Sequence, residues 1–260
     1  MNQFLERSEK KWRLSPEHAA DKPQTAISRH YIQRSPEANK KVDFGNNKAV
    51  PNTPSSNVPN IILPEPKKFD PAVVRAALEK AVANYNNTHA RKIQGKELSM
   101  FMAQCSYETG HFTSLEEKGT VEYFFNHYDK DGANAAKAAK LGNIEPLDGI
   151  KYRGSGGIHI TGRYNFKMVQ DELNTWAKYK NHPLNLVDHP EILRTNPQVA
   201  SDAAVAFWKL RVAPALKGKK ATIATATRMV NPSGHGAMAR IERFAQELFH
   251  SKHKKPSAKK

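Results

Sequence analysis

Apolar residues recur at helical spacing through most of the chain between residues 67 and 250. In FDPAVVRAALEKAVANY the apolar side chains repeat every three to four positions from Val74 to Val82, and Asp70 followed by Pro71 is typical of a helix start. The same spacing predicts four more helices, in GKELSMFMAQCSYETG, NFKMVQDELNTWAKY, NPQVASDAAVAFWKLR and GAMARIERFAQELF. In the last of these, four apolar residues are expected to face inward: Met238, Ile241, Phe244 and Leu248. Only GIHIT, residues 157–161, predicts a short strand, so the pattern indicates a mainly α domain.

Residues 1–66 differ in composition from this domain. They hold eight of the chain's 16 prolines, which remove amide donors and fix φ, so the segment cannot continue a helix. It also offers little apolar surface to offset the entropy lost on ordering. We therefore predict an extended arm or linker at residues 1–66 that tethers the domain or docks on a partner. Residues 67–250 form the globular domain, and residues 251–260 form a basic tail.

The chain carries a formal net charge of +16, from 41 Lys and Arg against 25 Asp and Glu. Such a charge favours polyanionic partners, namely nucleic acid, an anionic membrane or a bacterial envelope, although a soluble surface rich in Lys is an alternative. A helix-turn-helix pattern or an aromatic and basic platform is missing, so no specific nucleic acid is expected. No apolar run approaches the ~18 residues of a membrane span.

The single cysteine and the first residues of the sequence bear on disulfides, on zinc binding and on how the protein is exported. One cysteine excludes an internal disulfide framework and a cysteine-based zinc site, and Cys105 is expected to be a buried thiol. The start MNQFLERSEKKWRL has no apolar core of a signal peptide. We therefore expect synthesis in a cytoplasm and delivery by other means.

The stretch DGIKYRGSGGIHITGRYNF, residues 148–166, has the glycine content of a binding loop. A Walker-type phosphate site would need Lys-Ser/Thr directly after the glycines, and a dinucleotide site would need parallel strands; neither is present. Glycines also let a ligand approach the backbone closely. The planar and hydroxyl side chains of the loop suit a carbohydrate; they are Tyr152, Arg153, His159, Thr161, Tyr164 and Asn165. A tight turn that packs two helices together is the alternative.

A group of carboxylates follows the second predicted helix. Glu108 continues the apolar stripe of that helix, so it should face a crevice where partial burial raises its pKa and lets it act as a general acid. Glu116 and Glu117 follow after a turn and can stand on the opposite wall of a cleft. Glycoside hydrolysis needs such a pair, one acid and one base. The alternative is that Glu116 and Glu117 are solvated surface charges.

Four motifs in order, YETGHFTSLEE, DGIKYRGSGGIHITGRYNF, HPEILRTNPQVASDAAVAFWK and NPSGHGAMARIERF, resemble the catalytic domain of glycoside hydrolase family 19. That family includes chitinases and many phage endolysins, and the resemblance covers about residues 70–250. It implies an α-rich, lysozyme-like fold with a cleft between two helical lobes. It also implies hydrolysis with inversion of configuration at the sugar's anomeric carbon, without a metal or cofactor.

The resemblance assigns roles to individual residues. It implies that Glu108 is the general acid, that Glu117 rather than Glu116 is the general base, and that Thr161 helps to hold the attacking water. Its substrate-binding positions fall on Tyr164, Asn165, Asn231 and Arg240, and the loop composition adds Tyr152 and His159.

Several positions depart from the family pattern. His111 stands where the family usually has a second glycine, Ser155 replaces an arginine, and His159 replaces a glutamine. The segment Asn231-Pro232-Ser233 replaces the usual Asn-Gly-Gly. His159 can still form a hydrogen bond with a sugar while changing subsite preference or pH profile.

These features together favour a phage-encoded enzyme that hydrolyses β-1,4 bonds of bacterial peptidoglycan. A basic chain with one cysteine and no recognisable signal peptide is more similar to phage lysis enzymes than to secreted chitinases. We expect action in the periplasm or cell wall, either as a free endolysin or carried in the virion through an arm bound to a tail or baseplate protein. Alternatives are a chitinase and a non-catalytic glycan-binding or structural virion protein.

Overall fold

The computed structural model describes residues 58–253, and the predicted arm lies almost entirely outside the described residues. Within 58–253 the chain forms ten α-helices: α1 (Pro71–Thr88), α2 (Gly95–Glu108), α3 (Val121–Tyr128), α4 (Ala135–Lys140), α5 (Asp148–Lys151), α6 (Arg163–Leu173), α7 (Ile192–Thr195), α8 (Pro197–Phe207), α9 (Ile223–Val230) and α10 (Ala237–His253). A π-helical turn at Trp208–Val212 continues α8, and short 3₁₀ turns lie at Ala177–Tyr179, Ala213–Ala215 and Gly218–Lys220.

The larger lobe is built around α2 and α8. Helix α8 packs against α1, α6 and α7, and α2 packs against α9 and α10. The Trp208 indole meets Phe101 edge-on at 5.3 Å and donates to Glu97 at 2.8 Å, so it is both buried and satisfied. Helix α1 begins as the sequence predicts, because the Asp70 side chain accepts from the Ala72 amide at 2.8 Å.

A second, smaller core lies between α3, α4 and α5. Its centre is formed by Phe124, Phe125, Tyr128 and Ile150. Val58 and Leu63, which precede α1, pack on this small core, whereas Phe69 packs on the large one. The Phe69 amide also donates to the Thr113 carbonyl at 2.9 Å, close to the carboxylate segment. The mainly α, two-lobed domain is therefore confirmed.

Two predictions of local structure are wrong. The stretch 157–161 is not a strand; the described residues contain only isolated bridges, such as Ser155 with Ile160. Helix α10 does not bury all the expected residues, because Met238 and Ile241 are 70% and 41% exposed. Its buried side chains are instead the charged Arg240 and Glu247. Phe244 packs on the larger core and Leu248 is partly buried, as predicted, but two ion pairs also hold the helix on this lobe, so apolar periodicity finds only part of the buried face.

The prediction of a buried cysteine is confirmed, because Cys105 is fully buried in the larger core. Burial raises the pKa of its thiol well above the ordinary value, which disfavours the reactive thiolate. The basic tail is helical as far as His253, and the remaining tail residues lie outside the described part.

Candidate active site

Glu108 is the last residue of α2, and its side chain is 15% exposed. Burial raises the pKa of its carboxyl group, and the nearby positive charge of Arg240 opposes this effect without cancelling it. The Arg240 Nη2 donates to Glu108 Oε1 at 2.6 Å. The carboxyl group is thus held in a fixed position with a raised pKa, and both features suit a general acid.

Arg240 is fully buried, so the prediction that it contacts substrate is corrected. Besides Glu108 it donates to Gln104 Oε1 at 2.5 Å and to the His235 carbonyl at 3.2 Å. Its guanidinium lies over the Tyr107 ring at 4.1 Å. Arg240 is fully enclosed by these protein groups and is therefore placed to orient the Glu108 carboxyl group.

Glu117 lies in the segment between α2 and α3 and accepts three hydrogen bonds. Its Oε2 accepts from the Gly154 amide at 2.9 Å, and its Oε1 accepts from the hydroxyls of Tyr128 at 2.9 Å and Tyr123 at 3.3 Å. Its own amide donates to the Gly154 carbonyl at 2.8 Å. These hydrogen bonds hold the carboxylate in a fixed position between the glycine loop and α3.

Gly154 is required for this arrangement. A Cβ at this position would lie 2.7 Å from Glu117 Oε2 and 3.2 Å from His159 Cβ. At this glycine the close approach to the backbone is made by the side chain of Glu117 and not by a ligand.

Glu116 is directed into an ion pair and not toward the same partners as Glu117. Its Oε1 accepts from Arg153 Nε at 2.7 Å and from Nη2 at 2.5 Å, and both side chains are about nine-tenths buried. An antiparallel bridge between Glu116 and Ser155 aligns this segment with the glycine loop. Because the carboxylate of Glu116 is paired with the Arg153 guanidinium, the geometry favours Glu117 as the base.

His159 lies between the two carboxylates. Its Nδ1 is 3.6 Å from Glu108 Oε2, its Cβ is close to Gly154, and its side chain is 13% exposed. Burial lowers the pKa of its imidazole to about 4, although the negative charge of Glu117 acts in the opposite direction. The buried Nε2 has no hydrogen-bond partner within the described part of the chain. A neutral imidazole with a free nitrogen can accept or donate one hydrogen bond to a bound ligand.

Thr161 lies just before α6, and Asn165 lies in the first turn of that helix. The Thr161 hydroxyl donates to the His159 carbonyl at 3.1 Å, and the Asn165 amide group donates to the Thr161 carbonyl at 2.8 Å. Asn165 Oδ1 is buried without a hydrogen-bond partner among the described residues, while Tyr164 is 52% exposed. The start of α6 therefore brings these three predicted residues together next to His159.

Tyr152 is not placed where a glycan could reach it, so its prediction as a substrate-binding residue is corrected. Its side chain is fully buried, and its hydroxyl donates to the Val187 carbonyl at 2.7 Å. Its ring packs against Phe166 at 5.2 Å in the larger core. A tyrosine in a glycine-rich stretch resembles a binding residue, but here it anchors the loop to the core.

Asn231 caps the end of α9, at the start of the turn that precedes α10. Its Oδ1 accepts from the amide and the hydroxyl of Ser233, at 3.1 and 2.7 Å. This turn continues to Gly236, whose φ is 73° and where a Cβ would lie 2.0 Å from the Tyr107 hydroxyl. The structure thus gives Asn231 a local role in shaping the turn beside Tyr107.

Sequence reasoning missed the groups that hold the two carboxylates. Tyr123 and Tyr128 contact Glu117, and Gln104 and Tyr107 contact Arg240. The two tyrosines were visible only as aromatic positions shortly after the carboxylate segment. Their convergence on one oxygen requires the orientation of α3, which the sequence pattern does not give.

None of the helices in residues 58–253 is both long and apolar enough to cross a membrane.

Comparison with known proteins identifies the family. The family model for class I chitinases of glycoside hydrolase family 19 matches residues 68–242. Basic endochitinase CHB4 of Brassica napus is 29% identical over 165 residues, which cover 62% of this chain and 54% of that protein. A glycosyl hydrolase family 19 domain-containing protein of Haemophilus influenzae is 27% identical over 170 residues, covering 58% of this chain and 75% of that protein.

The chain spans about half the length of the plant chitinases that it matches. Chitinase C from Streptomyces griseus superposes with a TM-score of 0.48 at 19% identity, covering 69% of this chain and 75% of that chain. Since the family model matches 68–242, well over half of the 260 residues, the chain belongs to glycoside hydrolase family 19.

Proposed function

We propose that this protein hydrolyses β-1,4 glycosidic bonds of bacterial peptidoglycan by an inverting mechanism, with Glu108 as general acid and Glu117 as general base. The observation that carries the proposal is the contrast between the two carboxylates. Glu108 is in a buried site that raises its pKa, whereas Glu117 accepts hydrogen bonds from three protein donors. Two carboxyl groups in different environments are the arrangement by which glycosidases assign acid and base roles.

In the proposed reaction Glu108 transfers its proton to the bridging oxygen as the glycosidic bond breaks. Glu117 removes a proton from a water, and that water forms a bond to the anomeric carbon on the opposite face. The Thr161 hydroxyl helps to hold this water. Arg240 keeps the Glu108 carboxyl group oriented before and after it loses its proton, since its guanidinium is fixed by Gln104 and the His235 carbonyl.

The preference for peptidoglycan rests on charge. A net charge of +16 attracts the protein to the phosphate- and carboxylate-bearing polymers of a bacterial wall, whereas chitin is uncharged. We further propose a phage role, either as a free endolysin or as a virion-attached lysozyme bound to a tail or baseplate protein. The support for attachment is the composition of residues 1–66, which suits a tether.

Chitin is the second candidate substrate. It is favoured by the relatives, because the plant proteins similar to this chain carry the name endochitinase. Chitin and peptidoglycan share β-1,4-linked N-acetylhexosamine units, so the same acid and base could act on either polymer. The lactyl ether on alternate peptidoglycan sugars distinguishes the two.

The test is release of soluble fragments from purified Gram-negative peptidoglycan and from chitin, assayed in parallel. The variants are Glu108→Gln and Glu117→Gln, with Glu122→Gln as control because Glu122 is an exposed carboxylate of α3. Borohydride reduction and mass spectrometry then identify the sugar at each new reducing end. We expect wild type and the control to release muropeptides, and the two site variants to lose more than about 100-fold in rate.

Faster cleavage of chitin than of peptidoglycan would replace the proposed substrate with the second candidate. Binding of peptidoglycan without release of fragments from either polymer would favour the non-catalytic alternative, for which His111, Ser155 and His159 are the sequence argument.

A further inference from the structure

Two tyrosines of α3 converge on a single oxygen of Glu117. Tyr128 donates to Oε1 at 2.9 Å and Tyr123 at 3.3 Å, and their hydroxyl oxygens are 3.5 Å apart. Because Oε2 is bound to the Gly154 amide, both oxygens of the carboxylate have protein donors. The two tyrosines are therefore the only side-chain donors that the described residues provide to this carboxylate.

The two tyrosines differ in burial and in their neighbours. Tyr128 is 8% exposed and is part of the small core, with its ring stacked on Phe124 at 6.3 Å. Burial, followed by the charge of Glu117, raises the pKa of its hydroxyl, which favours the protonated form that donates the hydrogen bond. Tyr128 thus links the base directly to the core of the smaller lobe.

Tyr123 is 37% exposed, and one face of its ring stacks on His127 at 4.3 Å with 30° between the planes. Its hydroxyl nevertheless reaches the base. An exposed aromatic ring adjacent to a catalytic carboxylate offers an apolar surface to the carbon-bound hydrogens of a sugar, while its hydroxyl offers a polar edge. Tyr123 is placed to contact the sugar that lies beside the base.

We propose that these tyrosines divide two tasks at the base: Tyr128 is a positioning residue for Glu117, and Tyr123 contributes a subsite for an N-acetylhexosamine ring. This inference rests on the proposed role of Glu117. Tyr128 acts only through the carboxylate, so its loss lowers kcat and leaves KM largely unchanged. Tyr123 acts by binding a sugar, so loss of its ring raises KM.

The experiment measures kcat and KM separately on soluble oligosaccharides prepared from peptidoglycan and from chitin. Tyr128→Phe is expected to lower kcat roughly tenfold, because it removes a hydrogen bond to a charged group, with KM within about twofold. Tyr123→Leu is expected to raise KM about threefold to tenfold, and Tyr123→Phe to raise it less, since the ring is retained.

Tyr179→Phe is the matched control. Tyr179 is also buried, and its hydroxyl donates to the Asp202 carboxylate at 2.5 Å and not to Glu108 or Glu117. The variant removes the same type of hydrogen bond and should lower the melting temperature while leaving kcat and KM unchanged. It separates a positioning role from a general loss of stability.

A second measurement tests whether Tyr128 acts through Glu117. Glu117→Asp withdraws the carboxylate from the tyrosines by one methylene, so adding Tyr128→Phe to it should lower kcat by less than about twofold. A further tenfold loss of kcat in the Glu117→Asp background would overturn the positioning role of Tyr128. An unchanged kcat for Tyr128→Phe in the wild-type background would also overturn it.

An unchanged KM for Tyr123→Leu would overturn the subsite. If wild type cleaves neither substrate, the proposed function fails as well; if it cleaves and only the tyrosine variants behave otherwise, that function stands.

Discussion

His159 provides a quantitative test of the electrostatics between the two carboxylates. Its imidazole is 13% exposed, and burial lowers its pKa from 6.5 to about 4. The unfolded chain therefore binds this proton more readily than the folded chain does. For a histidine with a depressed pKa, the stabilisation is fully present above pH 6.5 and is lost as the pH falls from 6.5 toward 4.

The magnitude follows from the two pKa values. For a group that titrates at 6.5 when unfolded and at about 4 when folded, lowering the pH from 7.5 to 4.5 decreases the free energy of unfolding by about 2.5 kcal/mol. His159→Gln removes the titrating group and keeps a side chain that can form hydrogen bonds. Between pH 7.5 and 4.5 the free energy of unfolding of His159→Gln should therefore decrease by about 2.5 kcal/mol less than that of wild type.

The assay is urea unfolding at pH 7.5 and at pH 4.5, followed by far-ultraviolet circular dichroism. Each variant is compared with itself at the two pH values, so a constant effect of the substitution cancels. His182→Gln is the control, because it removes an imidazole from an exposed position and should leave the pH dependence of wild type unchanged. Equal pH dependence in wild type and His159→Gln would show that His159 is not held neutral, and the description of the site would be wrong.

Other parts of the site lead to further predictions. Gly154→Ala should reduce the rate of glycan cleavage at least about tenfold in the fragment-release assay, since its Cβ would lie 2.7 Å from an oxygen of Glu117. Glu116→Gln should lower the free energy of unfolding by about 3 kcal/mol in urea titrations, because it leaves Arg153 buried without its anion, yet it should retain more activity than Glu117→Gln. The basic limb of the pH profile of kcat/KM should lie above the ordinary range of a glutamate, because burial raises the pKa of Glu108. Cosedimentation with purified peptidoglycan should weaken as sodium chloride is raised, as expected for attraction between a chain of charge +16 and an anionic wall; salt-independent binding would contradict that attraction.

The elements that could be predicted are those in which local pattern and tertiary contacts agree. Helix α1 has a cap, a proline and an apolar stripe that all indicate the same face, and Val74 and Leu78 are buried as expected. Glu108 could be placed beside the core because it continues the apolar stripe of α2. In α1 the buried face is apolar, so spacing alone is informative, whereas α2 also buries the polar Ser99, Gln104 and Ser106.

The failures have a common physical cause, because burial there depends on partners distant in the chain. Arg240 is buried in α10 since Glu108 and Gln104, more than 130 residues earlier, neutralise and bind its guanidinium. Tyr152 is in the core since the Val187 carbonyl satisfies its hydroxyl. A hydropathy pattern treats both side chains as exposed and therefore available to substrate, and only the tertiary structure shows otherwise.

In the proposed mechanism Glu117 activates a water that attacks the anomeric carbon, and Glu108 protonates the oxygen of the bond that breaks. The most direct measurement is proton NMR of the anomeric hydrogens during the first minutes of hydrolysis of a soluble β-1,4-linked oligosaccharide, before mutarotation. Inversion by a water held between the bond and Glu117 predicts that the α-anomer appears first. Initial formation of the β-anomer would contradict the account, because it would require a covalent or substrate-assisted route in place of a general base.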